Sequence, residues 1–163
     1  MKIRALLWTC LGGLLGLLTS CGTKKMPESE LVSIEYTRSG TMAGFEYEGH
    51  VDLNDDGTVV ARAMRESHGP LYQLVVNKET LADLRKIIEE EKMYAYKERY
   101  LPPFEVLDGY MWSFHARFSD DTCISSGGSN ASPGGGGLKR LRDYFTQLAN
   151  NPDAVQVESE EDH

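Results

Sequence analysis

The stretch FEYEGHVDLNDDGTVVARAM, residues 45–64, decides the fold. Its apolar or small residues alternate with polar ones at Phe45, Tyr47, Gly49, Val51 and Leu53. Alternation with a period of two is typical of a β-strand that buries one face. The sequence NDDG that follows predicts a tight turn, because Gly57 can adopt the positive φ that such hairpin loops need. Residues 58–64 then predict a second strand, so the stretch is expected to form a β-hairpin.

The same patterns extend along the chain in both directions. They predict further strands at 31–38, 71–76, 110–118 and 122–126. Apolar residues at helical spacing predict one helix at 77–92 and a second over about 138–148. This order, ββββα-ββα, predicts an α+β domain in which an antiparallel sheet of about six strands has two helices packed on one face.

Length and charge restrict the class of protein. The chain has 163 residues, of which 40% are hydrophobic and 26% charged, which fits one globular domain. Its 17 basic and 25 acidic residues give a formal charge of -8. This balance argues against nucleic-acid binding, because a phosphate backbone requires a basic surface.

The N-terminus has the pattern of a bacterial lipoprotein signal. Lys2 and Arg4 precede the uncharged, largely apolar residues 5–18, and this segment is shorter than the about 20 residues of a membrane-spanning helix. The sequence LTSC ending at Cys21 then resembles the motif in which a small residue precedes a cysteine that is acylated and becomes the new N-terminus. Acyl chains such as palmitate would anchor Cys21 in a lipid bilayer, at about 0.8 kcal/mol per buried methylene.

These features together predict the organisation and the location of the chain. We expect a lipoprotein signal peptide at 1–20, a lipid-anchored flexible tether at 21–30, a single α+β domain at 31–150 and an acidic C-terminal tail at 151–163. The expected location is the bacterial cell envelope. The outer membrane is the expected membrane, since no aspartate follows Cys21.

Aromatic residues are concentrated in and after the connector between the two halves of the chain. Tyrosine and tryptophan offer a large contact area with a polar tip, which suits contact with a glycan or a protein. The alternative is that the connector crosses the sheet and buries these rings in the core. The candidate binding residues are Tyr96, Tyr100, Phe104, Tyr110 and Trp112.

A second function, that of a small envelope hydrolase, depends on Ser129. The sequence GGSNA at residues 127–131 loosely matches the nucleophile elbow G-x-S-x-G, and a histidine would act as its base. The elbow requires a strand that runs directly into a helix, whereas Pro133 and four glycines delay the next helix. We therefore expect a protein without catalytic residues and keep the hydrolase as the alternative.

Two acidic patterns raise the question of a metal site. The Asp52–Gly57 segment matches the first half of a calcium loop, but its twelfth position is Ala63 and its flanks are strands, so a hairpin turn is the better interpretation. One strand face carries Glu46, Glu48, His50 and Asp52, but a spacing of about 7 Å keeps one ion from bridging three such positions. We predict neither a metal nor a cofactor, and leave open weak calcium binding at the turn.

The glycine-rich segment 127–137 precedes the last predicted helix. Free N–H groups at a helix N-terminus can hold an anion. The acidity of the chain disfavours an anionic ligand, however, and the segment lacks the ending of a phosphate-binding loop. We therefore interpret it as a plain connector.

A group of short motifs in the second half supports the envelope assignment. They are MYAYK at 93–97, Tyr100, PPF at 102–104, LDGY at 107–110, WSF at 112–114, FSD at 118–120, and GSNA at 128–131 with Pro133. The chain resembles, mainly in residues 93–133, uncharacterised small envelope lipoproteins of Bacteroidetes. This resemblance implies an anchored α+β domain and carries over no catalytic or binding residue. We therefore expect a membrane-anchored, non-catalytic module that contacts the bilayer through acylated Cys21 and an envelope protein or glycan through its domain.

Overall fold

The computed structural model describes residues 24–40, 45–104, 106 and 109–158. They form an α+β fold in which two helices pack against one eight-stranded sheet. The strands are β1 (Leu31–Gly40), β2 (Phe45–Leu53), β3 (Val59–Met64), β4 (Leu71–Val76), β5 (Arg99–Tyr100), β6 (Tyr110–Phe118), β7 (Cys123–Ser129) and β8 (Val155–Val157). The helices are α1 (Glu79–Glu90) and α2 (Gly137–Ala149), and a 3₁₀ turn spans Met93–Ala95.

The order of the strands across the sheet is β5-β7-β6-β1-β2-β3-β4-β8. Neighbouring strands are antiparallel, except that β5 runs parallel to β7, so the sheet is mixed. The prediction of an α+β fold with a largely antiparallel sheet and two helices is confirmed. The predicted number of about six strands is too low, because β5 and β8 were missed.

The hydrophobic core lies between the two helices and one face of the sheet. Ile34, Val51 and Phe114 are fully buried in the three central strands, and their polar sequence neighbours lie on the opposite face. Phe145 of α2 is also fully buried and lies directly over Gly49 of β2. The alternation that predicted the strands therefore reflects a sheet with one buried face.

Both helices begin and end close to the predicted positions. Asn77 precedes α1, and its side-chain oxygen accepts a hydrogen bond of 3.2 Å from the Thr80 N–H. Arg140 of α2 pairs with Glu90 at 2.7 Å and Glu91 at 3.2 Å, so the two helices are linked. No helix among the described residues is long and apolar enough to cross a membrane.

The two ends of the described chain contact the rest of the fold. Arg85 of α1 donates hydrogen bonds to the carbonyls of Pro27, at 2.8 Å, and Ser29, at 3.3 Å, so this part of the predicted tether lies along the domain. Strand β8, which falls in the predicted acidic tail, pairs with β4. The predicted signal peptide and Cys21 lie outside the described residues.

Candidate functional site

A cavity of about 270 Å³ opens between the sheet and the first turn of α2, and we call it the α2 cavity. Strands β1 and β6 form one side of it, and α2 with residues 132–135 of the preceding loop forms the other. Tyr96, which follows the 3₁₀ turn, completes the lining. The glycine-rich loop leads into α2, which starts at Gly137.

Three of the five predicted binding residues line the α2 cavity, namely Tyr96, Tyr110 and Trp112. Tyr100 stands behind them, with its ring centroid 5.8 Å from that of Trp112. Phe104 lies elsewhere, 69% exposed, beside a second cavity near Asn130. Tyr96 and Trp112 are 8% and 4% exposed, so their rings are core residues that also form the cavity wall.

The GSNA motif fixes the aromatic wall in place. The indole N–H of Trp112 donates a hydrogen bond of 2.7 Å to the carbonyl of Ala131, and Asn130 accepts one of 3.0 Å from the Tyr110 N–H. A Cβ at Gly128 would collide with the Ala131 carbonyl and lie 2.6 Å from the Trp112 indole nitrogen. The segment that resembled a nucleophile elbow in sequence therefore holds the aromatic wall of the α2 cavity.

Two tyrosine hydroxyls of the α2 cavity have no hydrogen-bond partner among the described residues. They belong to Tyr96 and to Tyr36 of β1, which is 5% exposed. Burial raises the pKa of Tyr96 to about 12. Burial also raises the pKa of Tyr36, while the nearby charges of Arg38 and Arg142 act in the opposite direction. Both hydroxyls therefore stay protonated and can donate hydrogen bonds.

The charged side chains that line the α2 cavity are all basic: Arg38, Lys139 and Arg142. Arg38 pairs with Glu46 at 2.7 Å, and its guanidinium lies 4.1 Å from the centre of the Tyr110 ring. Lys139 pairs with Asp143 one turn along α2. Within the part of the chain that the structure describes, no carboxylate lies within 4.0 Å of Arg142. The charged residues that line this cavity are therefore basic, although the chain as a whole is acidic.

Sequence reasoning missed Tyr36, Arg38, Lys139 and Arg142 as site residues. Tyr36 and Arg38 lie in β1, and the two other residues lie in α2, about 100 positions later. The alternation in β1 placed Tyr36 in the core. The helical spacing of α2 showed only its apolar stripe. No motif links the two segments. The pairing of β1 with β6 brings β1 beside the aromatic wall, and α2 lines the same cavity from the other side.

The alternative catalytic pair does not form in the described residues. Ser129 lies opposite Met111 at the end of β7, and its hydroxyl approaches only the Asn130 amide, at 3.5 Å. The serine that meets a histidine is Ser125, whose hydroxyl lies 3.1 Å from His115 Nδ1 on the exposed face of the sheet. The lining of the α2 cavity includes none of Ser129, Ser125 and His115.

The acidic patterns also have structural explanations. The turn at Asn54–Gly57 adopts the predicted hairpin, with φ of +84° at Gly57, and the Asp56 carboxylate accepts hydrogen bonds from the Thr58 N–H and hydroxyl at 2.9 and 2.7 Å. His50 lies 3.7 Å from each of the Glu48 and Asp52 carboxylates. Among the described residues, no three histidine, cysteine or acidic side chains are arranged to hold a metal ion.

Comparison of the chain with protein-family models, curated proteins and solved structures found no match. The resemblance to envelope lipoproteins of Bacteroidetes therefore stays a prediction.

Proposed function

We propose that this chain is a membrane-anchored cell-envelope lipoprotein whose domain binds a glycan, without catalysis, in the α2 cavity. The bilayer is its first partner, through acyl chains on Cys21, and the signal pattern at residues 1–21 supports that part. The expected cellular location is the outer membrane. The glycan is its second partner.

One observation carries the binding role: the hydroxyls of Tyr36 and Tyr96 face an open cavity without protein partners. Neither oxygen is among the buried side-chain polar atoms that lack a partner, so both hydroxyls reach the open space of the cavity, where a ligand can form hydrogen bonds with them. Sugar hydroxyls are suited to this, because each can both donate and accept a hydrogen bond.

The size of the α2 cavity favours a glycan over a protein partner. Its volume of about 270 Å³ lies just below the range of about 300–1,000 Å³ for pockets that enclose a drug-sized ligand. A single sugar residue or the end of a chain suits such a space. The partly exposed ring of Tyr110 adds an apolar surface for the face of a sugar ring.

The alternative, a small envelope hydrolase that uses Ser129 with a histidine, has less support. A nucleophile and its base need to lie within about 2.6–3.2 Å of each other. Ser129 has only the Asn130 amide nearby, at 3.5 Å, among the described residues. The Ser125–His115 pair satisfies the distance, but His115 is exposed and does not line the cavity of about 560 Å³ that Ser125 borders.

The test is a glycan-binding screen of the full-length chain in detergent, with neutral and acidic oligosaccharides as probes. We expect wild type to bind at least one class of sugar, and the Tyr96→Phe variant to bind it about 2- to 10-fold more weakly, because one neutral hydrogen bond is lost. Tyr94→Phe is the matched control, since Tyr94 lies two residues before Tyr96 in the chain and outside the α2 cavity. A wild-type protein that binds none of the sugars would overturn the proposed function.

A further inference from the structure

We infer that the sugar bound in the α2 cavity is acidic, which means that it carries a carboxylate or phosphate group. This inference rests on the proposed function and specifies the class of its ligand. The shared chemistry is a compact group of anionic oxygens on a sugar ring.

The first step concerns the charge of the cavity wall. Arg38, Lys139 and Arg142 enter the lining from two different elements, and no acidic residue does. Glu46 and Asp143 partly neutralise the first two, but both carboxylates stand outside the lining. A wall with an excess of positive charge in an acidic protein concentrates anions at that place.

The second step concerns Arg142. It is half-buried, and the described residues place no carboxylate within ion-pair distance of its guanidinium. Its charge reaches the Tyr36 hydroxyl, whose pKa it lowers against the larger effect of burial. Arginine presents a planar set of N–H donors that fits carboxylate and phosphate oxygens in pairs. Arg142 and the Tyr36 hydroxyl therefore form an incomplete anion site.

The third step concerns the first turn of α2, which borders the same cavity. The helix has 13 residues, and no side chain caps its N-terminus at Gly136. The free N–H groups and the helix dipole both favour negative charge there. Tyr96 is 8% exposed as a residue, and its hydroxyl oxygen lies next to Gly137 at this end of the helix. The protonated hydroxyl adds a further donor beside the helix N-terminus.

The test compares a neutral sugar, two derivatives of it that carry an acidic group at C6, and an anion without a sugar, by calorimetric titration of the full-length chain in detergent. The probes are galactose, galacturonic acid, galactose 6-phosphate and inorganic phosphate. We expect at least one acidic sugar to bind about 10-fold or more tightly than galactose, because it adds charge-assisted hydrogen bonds. We expect that advantage to shrink as salt is added, since ions screen a partly exposed charge.

Arg142→Gln should weaken binding of the acidic sugar about 10- to 100-fold and so reduce or remove its advantage over galactose. Arg140→Gln is the matched control, because Arg140 lies on the same helix but outside the cavity, paired with Glu90 and Glu91. If the Arg142 variant does not fold, Lys139→Gln and the salt dependence of wild type test the same charge.

The outcomes separate the inference from the proposed function. Equal affinity for galactose and both acidic sugars would overturn the inference and leave a glycan-binding role intact. Binding of inorganic phosphate as tightly as galactose 6-phosphate would show an anion site with no role for the sugar, and would overturn both. Failure of every probe would also overturn both.

Discussion

Gly49 sets the distance between helix α2 and the sheet. A Cβ at this position would lie 2.6 Å from Cδ2 and 2.7 Å from Cγ of Phe145. The Phe145 side chain is fully buried, so its movement would disturb the surrounding core. We expect Gly49→Ala to lower the free energy of unfolding by about 1–3 kcal/mol, the usual cost of overpacking a core. Denaturant titration with circular dichroism measures this.

Gly134 provides the matched control for that substitution. No atom lies within 4 Å of the Cβ position at Gly134, and its φ is not in the left-handed region. Gly134→Ala should therefore leave stability unchanged or raise it slightly, since alanine restricts the unfolded chain. Equal losses for the two variants would show that the Phe145 contact is not the cause.

The hydroxyl of Tyr47 joins strand β2 to helix α2. It donates to the carbonyl of Arg142 and lies equally close to the Thr146 hydroxyl, at 3.0 Å in both cases. Burial raises the pKa of Tyr47 from 10.0 to about 12, while the hydrogen bond with Thr146 and the charge of Arg142 oppose the rise. The folded protein therefore keeps this proton at a pH where the unfolded chain releases it.

The sign of the pH dependence follows from that difference. The contribution of Tyr47 is fully present below pH 10 and is lost as pH rises through the folded-state pKa of about 12. We expect the free energy of unfolding of wild type to fall between pH 10 and 12. In Tyr47→Phe it should fall less steeply, because fewer groups titrate. Denaturant titrations at several pH values measure the slopes, and identical slopes would contradict the assignment.

The strands that the sequence predicted are those with their own alternating pattern. Strands β2, β3 and β6 each carry at least three buried residues at alternate positions, so their residues alone indicate their structure. Strand β5 has two residues and β8 has three, too few to show a period. They pair because a neighbouring backbone lies beside them, and that information is in the tertiary structure.

The same distinction explains the candidate site. Aromatic residues such as Tyr96, Tyr110 and Trp112 were recognisable because size and polarity are properties of single residues. The basic side of the α2 cavity was not recognisable from the sequence, because Arg38 and Arg142 line one cavity only after α2 has packed on the sheet that contains β1. The total charge of -8 is a sum over the whole chain, so it does not show that the charged residues lining this cavity are basic.

The anchoring part of the proposal is tested in cells. We expect mass spectrometry of the envelope fraction to find acyl chains on Cys21, and Cys21→Ser to release the protein or to retain its leader, because acyl chains hold the protein on lipid. Cys123→Ser is the control, since this free thiol is exposed in the domain and should not affect fractionation. An unmodified Cys21 on a freely soluble wild-type chain would contradict anchoring.

Acylation would also keep the domain close to the bilayer. Lys24 already contacts the domain, through a hydrogen bond of 3.1 Å to the Tyr96 carbonyl. From Cys21 to Lys24 the chain can reach about 10 Å at most, at roughly 3.3–3.6 Å per residue. The α2 cavity, which Tyr96 lines, would then lie within a short distance of the membrane surface.

The two outermost strands, β5 and β8, would limit strand pairing between copies of the chain anchored on one membrane. A long exposed edge strand invites a strand from another molecule, and polymers can grow from that contact. Here the outermost strands have only two and three residues, and they pair with part of the longer strands β7 and β4. Copies anchored in one lipid layer would collide often, and outer strands this short would give another molecule little backbone to pair with.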